Sequence, residues 1–265
     1  MNIRLRSVFL IAFVLAAGCG RERSSWVGPT RTATITRNWP AAGIRQVKVF
    51  EVSGSIRVEA APTSEISLVA IAKGRIRPRQ DAENQGLFRT EIDGDTLRIT
   101  RFERKRRFNF FWFDRDNVSI SYVLKVPPTV SIDAHTINGR IVTRGVGGET
   151  QVATVNGTID VEVTGSESLS ATTVNGRVRA KFTQGFQGAK FKTVNGGVEA
   201  ILPNDASFSV DLAQVNGDFE AAFPLSIHSQ PGSRRVSGEV NGGHHRLRIV
   251  TVNGDVELTK LSDSL

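Results

Sequence analysis

One phrase recurs through the second half of the chain and limits what it can become. Ile137-Asn138-Gly139, Val155-Asn156-Gly157, Val174-Asn175-Gly176, Val194-Asn195-Gly196, Val215-Asn216-Gly217 and Val252-Asn253-Gly254 all read aliphatic-Asn-Gly. The first four steps between asparagines are 18, 19, 20 and 21 residues, and the last is 37, close to two periods. Val236-Ser237-Gly238 divides that gap into 21 and 16 and reads as a degenerate copy. Val240-Asn241-Gly242 would divide it into 25 and 12; twelve residues are too few for a turn of this size, so this copy is assigned to a loop. A fixed period of about 20 residues is the mark of a repeat architecture.

Each Asn-Gly leads into an alternating segment. Ile159/Val161/Val163, Val178/Ala180/Phe182 and Val198/Ala200/Leu202 are interleaved with Asp160, Glu162, Arg179 and Glu199. Similar segments precede the phrase, as in Leu169/Ala171/Thr173 and Ala189/Phe191/Thr193. Period two with one apolar face is the strand signal. No long apolar segment with the helical period follows residue 20, so the chain is expected to be all-β. Glycine is expected after each asparagine because a tight bend favours positive φ, which glycine adopts without steric cost. Asparagine also tolerates that region and bonds its own backbone.

Two architectures use such a bend. In a single-stranded parallel β-helix, or β-solenoid, each period is one coil and equivalent residues stack about 4.8 Å apart. The asparagines, with Ser237-Gly238 in the degenerate copy, would then form a structural ladder of turns. In the alternative, serial β-hairpins, each Asn-Gly is a two-residue turn. Thr193 would then face Val198 and Phe191 would face Ala200, so local pattern leaves both open. Retention of valine or isoleucine before every asparagine favours the solenoid, because stacking places like on like whereas a hairpin needs only turn chemistry.

The recurring Val-Asn-Gly-x-Val, with the Leu97-Arg98-Ile99 strand and Val126-Pro127-Pro128 ahead of the first copy, resembles the bacterial adhesin-head domains. That resemblance spans about residues 45 to 260. It implies an adhesin-like, β-helical envelope domain of unassigned biochemical role, and it brings no catalytic residues.

The N-terminus reads as an export signal over residues 1–18. Arg4 and Arg6 precede an apolar run from Val8 to Ala17, too short to span a bilayer as a helix. Leu15-Ala16-Ala17-Gly18-Cys19 is similar to a bacterial lipoprotein box, and Cys19 is the only cysteine, so lipidation at Cys19 is expected. The other reading is an ordinary signal cleaved near Ala17. Gly20 follows instead of an acidic residue, which in such lipoproteins implies the outer membrane. Residues 19–43 are expected to be a tether, with Trp26 and Trp39 free to pack back on the domain. Residues 44–136 read as an irregular β region capping the stack, and 137–260 as the regular solenoid. The whole chain carries a formal charge of +8, with the cations outside residues 101–117 spread out.

Residues 101–117 break the pattern. Arg104, Lys105, Arg106 and Arg107 run into Phe108, Phe110, Phe111, Trp112 and Phe113. Three readings stand: aromatics packed on the rod, a contact with anionic membrane or lipopolysaccharide, or a site for an envelope protein or glycan. Nucleic acid is not expected.

Chemistry is sparse. His135, His228, His244 and His245 lack zinc-like spacing, and the adjacent His244-His245 are placed in a loop, so neither metal nor cofactor is expected. Asp160, Glu199, Asp218, Glu220, Asp255 and Glu257 follow the corners at offsets of two or four. A carbohydrate-active β-helix enzyme would need such carboxylates clustered, but they are also the polar positions of the alternation. The expected function is non-enzymatic: a lipid-anchored envelope module that binds or scaffolds, with its lipid in the membrane.

Overall fold

The computed structural model describes residues 30–74, 87–101, 118–165, 168–225 and 235–262, and among them every regular element is a strand. The first part holds β1 (Arg31–Pro40), β2 (Gln46–Ser53), β3 (Ile56–Ala60), β4 (Glu65–Gly74), β5 (Phe88–Asp93), β6 (Thr96–Arg101) and β7 (Ser119–Val126). The repeats supply β8 (Ser131–Asn138), β9 (Ile141–Val146), β10 (Thr150–Asn156), β11 (Ile159–Thr164), β12 (Leu169–Asn175), β13 (Val178–Gln184), β14 (Ala189–Lys192) and β15 (Val198–Leu202). The C-terminal part adds β16 (Phe208–Asn216), β17 (Phe219–Ala221), β18 (Arg235–Val240), β19 (His245–Asn253) and β20 (Val256–Lys260).

They form two ten-stranded sheets. Sheet A runs β1-β4-β7-β3-β9-β11-β13-β15-β20-β17, and sheet B runs β18-β16-β19-β14-β12-β10-β8-β2-β6-β5. Alternation sets the layers. In β11 Ile159, Val161 and Val163 are buried while Asp160 and Glu162 face outward. The inward faces of both sheets share one core. At the far end it closes with phenyl rings packed edge-on, Phe186 at 4.9 Å from Phe182 and 5.7 Å from Phe208.

Each of the six repeated Asn-Gly pairs joins a strand of sheet B to a strand of sheet A, so it is a corner between sheets and not a hairpin turn; Asn241-Gly242, assigned to a loop, lies between two strands of sheet B. Successive coils pair in parallel, as β10 does with β8 and β12. The expectation of a single parallel helix needs correction at the margins. β1, β4 and β7 pair antiparallel, as do β5 with β6 and β16 with β18, so both sheets are mixed. A parallel stack ends in unpaired backbone groups. An antiparallel neighbour covers them with only a short connection.

Four further expectations change. Residues 31–40, placed in the tether, form β1 along β4, and Trp39 is buried there. Ser237-Gly238 is no corner: both residues lie mid-strand in β18, opposite Asp211 and Val210. His245, placed in a loop, opens β19. The coils also do not stack in chain order. β19/β20 is inserted between β14/β15 and β16/β17, so the chain skips one place, turns back through β18, and fills the gap last. In space the corners run Ser53, Asn138, Asn156, Asn175, Asn195, Asn253, Asn216. The 37-residue step thus holds a return strand and not an extra coil.

Candidate functional site

The corner is built by four consecutive residues, and the first of them was not singled out by sequence spacing. Two residues before five of the asparagines stands an inward threonine: Thr136, Thr154, Thr173, Thr193 and Thr251, none more than 4% exposed. Each hydroxyl donates to the glycine carbonyl of the preceding coil, as from Thr154 to Gly139 (3.1 Å) and from Thr173 to Gly157 (3.2 Å). In the Asn216 coil, Gln214 Nε2 does this work, donating to the Gly254 carbonyl at 2.9 Å. A buried hydroxyl without a partner is costly, so threonine and glycine carbonyl satisfy each other.

The asparagine side chains form an amide ladder on the outside. Nδ2 of Asn156, Asn175 and Asn195 donates to Oδ1 of Asn138, Asn156 and Asn175, at 2.8, 2.8 and 2.9 Å. Asn253 continues it onto Asn195 (2.9 Å) and Asn216 onto Asn253 (2.8 Å). The positive φ expected of the corner glycines is present at four of the six, and a second reason for glycine stands beside it. Gly176, Gly196, Gly217 and Gly254 have φ of 158°, 155°, 128° and 154°, whereas Gly139 and Gly157 are not among the positive-φ residues. A methyl group on Gly139, Gly157, Gly176 or Gly196 would overlap the carbonyl oxygen of the glycine one coil back. Close approach of two backbones demands glycine at these corners, and positive φ adds to that demand at Gly176 and Gly196.

Between threonine and asparagine sits the valine, and it faces water. Val155, Val174, Val194, Val252 and Val215 are 36–41% exposed and stand in one line across neighbouring strands. They make up five of the eight exposed large hydrophobics among the described residues, and a sixth, Phe50, is on β2 at the same face.

At the other end of the stack the corner changes character. Glu51 occupies the threonine position, opposite Thr136, and is fully buried. Its Oε1 accepts from Arg101 Nη1 (2.6 Å) and from the Val52 and Ser53 backbone, and its Oε2 from the Tyr122 hydroxyl (3.0 Å). Burial, and then the Glu51 charge, push the Tyr122 phenol far above its ordinary value, so it stays a donor. Arg101 Nη2 also donates to the Val118 carbonyl at 2.9 Å. Residues 102–117 connect β6 to β7, which lie beside β2 and β3 in their respective sheets. Arg104 to Phe113 lie outside the described residues, as do Cys19 and His228.

The carboxylates line the outer face of sheet A. Glu199 and Glu220 do not lie on adjacent strands, as stacking in chain order would have it; Glu257 stands between them. Asp160 accepts from Arg144 at 2.8 and 3.0 Å and from Arg140 at 3.0 Å. The Arg144 hydrogen bond holds its carboxyl below the ordinary range. His135 meets Asp133 at 2.6 Å, which lowers that carboxyl too. His244 Nδ1 lies 2.6 Å from Ser207 Oγ, but that hydroxyl also bonds the Asn241 carbonyl at 2.6 Å and knits the turn before β19. Among the described residues no cluster of His, Cys, Asp and Glu suits a metal.

Fold and corner together define an all-β, solenoid-like protein with two mixed sheets. A family model described as Toastrack DUF4097 matches residues 131–259, the run from β8 to β20. Among solved structures the chain is similar to a "putative cell adhesion protein" of Clostridium sporogenes ATCC 15579, at 10% identity and TM-score 0.47, over 87% of this chain and 100% of that one. It is also similar to a "putative adhesin" of Bacteroides fragilis NCTC 9343, at 10% identity and TM-score 0.36, over 85% and 96%. A "putative lipid binding protein" of Parabacteroides distasonis ATCC 8503 matches at 11% identity and TM-score 0.26, over 86% and 97%. No curated protein matches the chain.

Proposed function

We propose that this protein is a lipid-anchored, non-enzymatic module of the cell envelope that binds or scaffolds a partner along its valine-asparagine corner. The observation that carries this reading is the exposed valine row. Threonine has the same branched shape and strand preference as valine. Stability of an exposed strand position therefore does not require valine, whereas a dry contact does. The row lies beside a continuous line of amides that donate and accept, which gives an apolar strip with a polar rim, the usual anatomy of an interface. Cys19 supplies the anchor, in the outer membrane, and the basic-aromatic segment at 104–113 adds a second contact to an envelope protein or glycan.

The test is in-cell crosslinking from a photoreactive residue at Val194, repeated in the triple variant Val155→Thr, Val174→Thr, Val252→Thr. A discrete protein or glycan adduct that weakens in the triple variant is the expected result. Absence of any adduct at Val194, in cells where the protein is abundant and folded, would overturn it. In parallel, Cys19→Ser should move the protein out of the membrane fraction; retention there would remove the anchor from the reading.

A further inference from the structure

The surroundings of the exposed valine row change along the stack. On the outer face of sheet B the two rows next to it carry Gln151 and Ala153 on β10, and Ser170 and Thr172 on β12. On the next two strands these rows turn basic. β14 presents Lys190 and Lys192, and β19 presents Arg248, with Arg246 one row further from the corner. All four are exposed. Lys190 stands directly opposite Arg248, and like charges so placed repel. Among the described residues Lys190, Lys192 and Arg246 have no ion-pair partner, and Arg248 has Asp211 alone, at 3.9 Å.

Beside this patch lie Val194 and Val252, two residues beyond Lys192 and Val250, and then the amides of Asn195 and Asn253. Each of these amides spends one Nδ2 hydrogen and one Oδ1 lone pair inside the ladder. A second hydrogen and a second lone pair are left for a ligand. Cations, apolar strip and amides thus form parallel lines that cross the strands, with a spacing of about 4.8 Å. A sugar ring is about as long as that spacing. It has an apolar C–H face to lie on the valines and a rim of hydroxyls to exchange hydrogen bonds with the amides. A carboxylate or phosphate on the ring meets the lysines. The face of a folded acidic protein has no reason to repeat at the strand spacing.

We infer that the corner at β14 and β19 docks an anionic polysaccharide, a linear glycan bearing carboxylate or phosphate groups and lying along the stack. This deepens the proposed function and rests on it, since it takes the valine-asparagine corner as the docking strip. Because the added specificity is electrostatic, binding weakens as salt shortens the range of the charges.

The experiment is equilibrium binding by the full chain in a mild non-ionic detergent, at low and at high salt. The probes are alginate oligosaccharides, phosphorylated dextran, unmodified dextran, poly-L-glutamate and phosphatidylglycerol vesicles. Salt-sensitive binding to alginate or phosphorylated dextran, tighter than to the other three, is the expected result. Lys190→Gln with Lys192→Gln should weaken it roughly fivefold or more, whereas Arg177→Gln with Lys181→Gln, which removes the same charge at β13 of sheet A, should change it by less than about twofold. No binding to either anionic glycan would overturn the inference. So would equal weakening by both pairs of substitutions, which reports only the net charge of the chain. Equal or tighter binding to poly-L-glutamate or to the vesicles would assign the patch to an acidic protein or a membrane, and would overturn it too. Val194→Thr with Val252→Thr separates this inference from the reading beneath it. Glycan binding that falls with the lysine pair but not with the valine pair removes the corner as a docking strip and leaves the cationic site. Binding that falls with the valine pair alone, and equally for unmodified dextran, keeps the corner and removes the anionic ligand.

Discussion

The corner at Asn175 and the corner at Glu51 occupy equivalent places in one stack and are held by opposite chemistry. At Asn175 each group is neutral and the partners are the same groups one coil away: threonine to glycine carbonyl, amide to amide. At Glu51 a fully buried carboxylate takes four donors, one of them the guanidinium that also ties down Val118. The first arrangement can be repeated without limit, because every coil presents what the next one needs. The second cannot be repeated, because a second buried carboxylate would need a second cation. It suits a place where the regular corner is no longer repeated. Uniform neutral bonds propagate a fold, and a buried ion pair ends it.

The largest break in this comparison should come from Glu51→Ala. It leaves Arg101 without its carboxylate and Tyr122 without its acceptor, and a loss of about 3–5 kcal/mol in urea unfolding is expected. The double variant Glu51→Thr with Arg101→Thr restores neutral chemistry to that corner and should recover most of the loss. If the double variant is as unstable as the single one, the ion pair is not what distinguishes the two corners.

Next comes Gly176→Ala, in the regular part. The added methyl meets the backbone of Gly157 and not a movable side chain, so a loss of about 2–4 kcal/mol is expected by denaturant unfolding. Asn175→Ala, one residue away, removes two exposed amide bonds and should cost only about 1 kcal/mol. Equal losses at 175 and 176 would mean that the amide ladder, and not the close approach of coils, sets the spacing.

The two regions should also divide the pH response. Asp133 and Asp160 sit below the ordinary carboxyl value of about 3.9, held there chiefly by hydrogen bonds from His135 and Arg144. Their contribution is present above that value and is lost as pH falls through the lower folded values. Tyr122 is raised above its ordinary value of about 10 by burial and by Glu51. Its contribution is present below that value and is lost as pH rises past it. Urea midpoints measured across pH should therefore fall at both ends. Asp160→Asn should flatten the acid limb and Tyr122→Phe the alkaline one.

The smallest effect is a gain. Thr143 lies in β9 with its hydroxyl buried and without a hydrogen-bond partner. The neighbouring strands place Val58 and Val161 at the same position. Thr143→Val should raise stability by about 1 kcal/mol, read as a higher thermal midpoint. An unchanged or lower midpoint would show that this hydroxyl is satisfied in solution.

Much of the corner was legible beforehand because it is local. Alternation, the aliphatic-Asn-Gly phrase and its period sit within a few residues of each other, so the strands, their buried faces and the stacking of like on like could be read directly. Threonine two places before asparagine carried a signal as well. It recurs in five copies and breaks the apolar rule on the inward face, which marks a buried hydroxyl needing a partner. Three things were not legible. Glu51 and Arg101 are 50 residues apart, and no spacing links them. β1 has strand composition but lies in a stretch whose charge and position read as a tether. Ser237-Gly238 fits the period and yet lies mid-strand, because periodicity cannot tell a corner from a strand that happens to pass at the same interval.

The sequence by itself determined the unit: a strand, a Thr-Val-Asn-Gly corner, a second strand, all held by interactions between identical positions. The tertiary structure decided the order of the units and the nature of the ends. The coil of Asn253 is the last in the chain, yet it sits between those of Asn195 and Asn216. The corner bonds are nearly identical from coil to coil, so they do not fix which coil adjoins which. Order is settled by what differs: the lengths of the connections, the return through β18, and the phenyl rings that close the far end of the core.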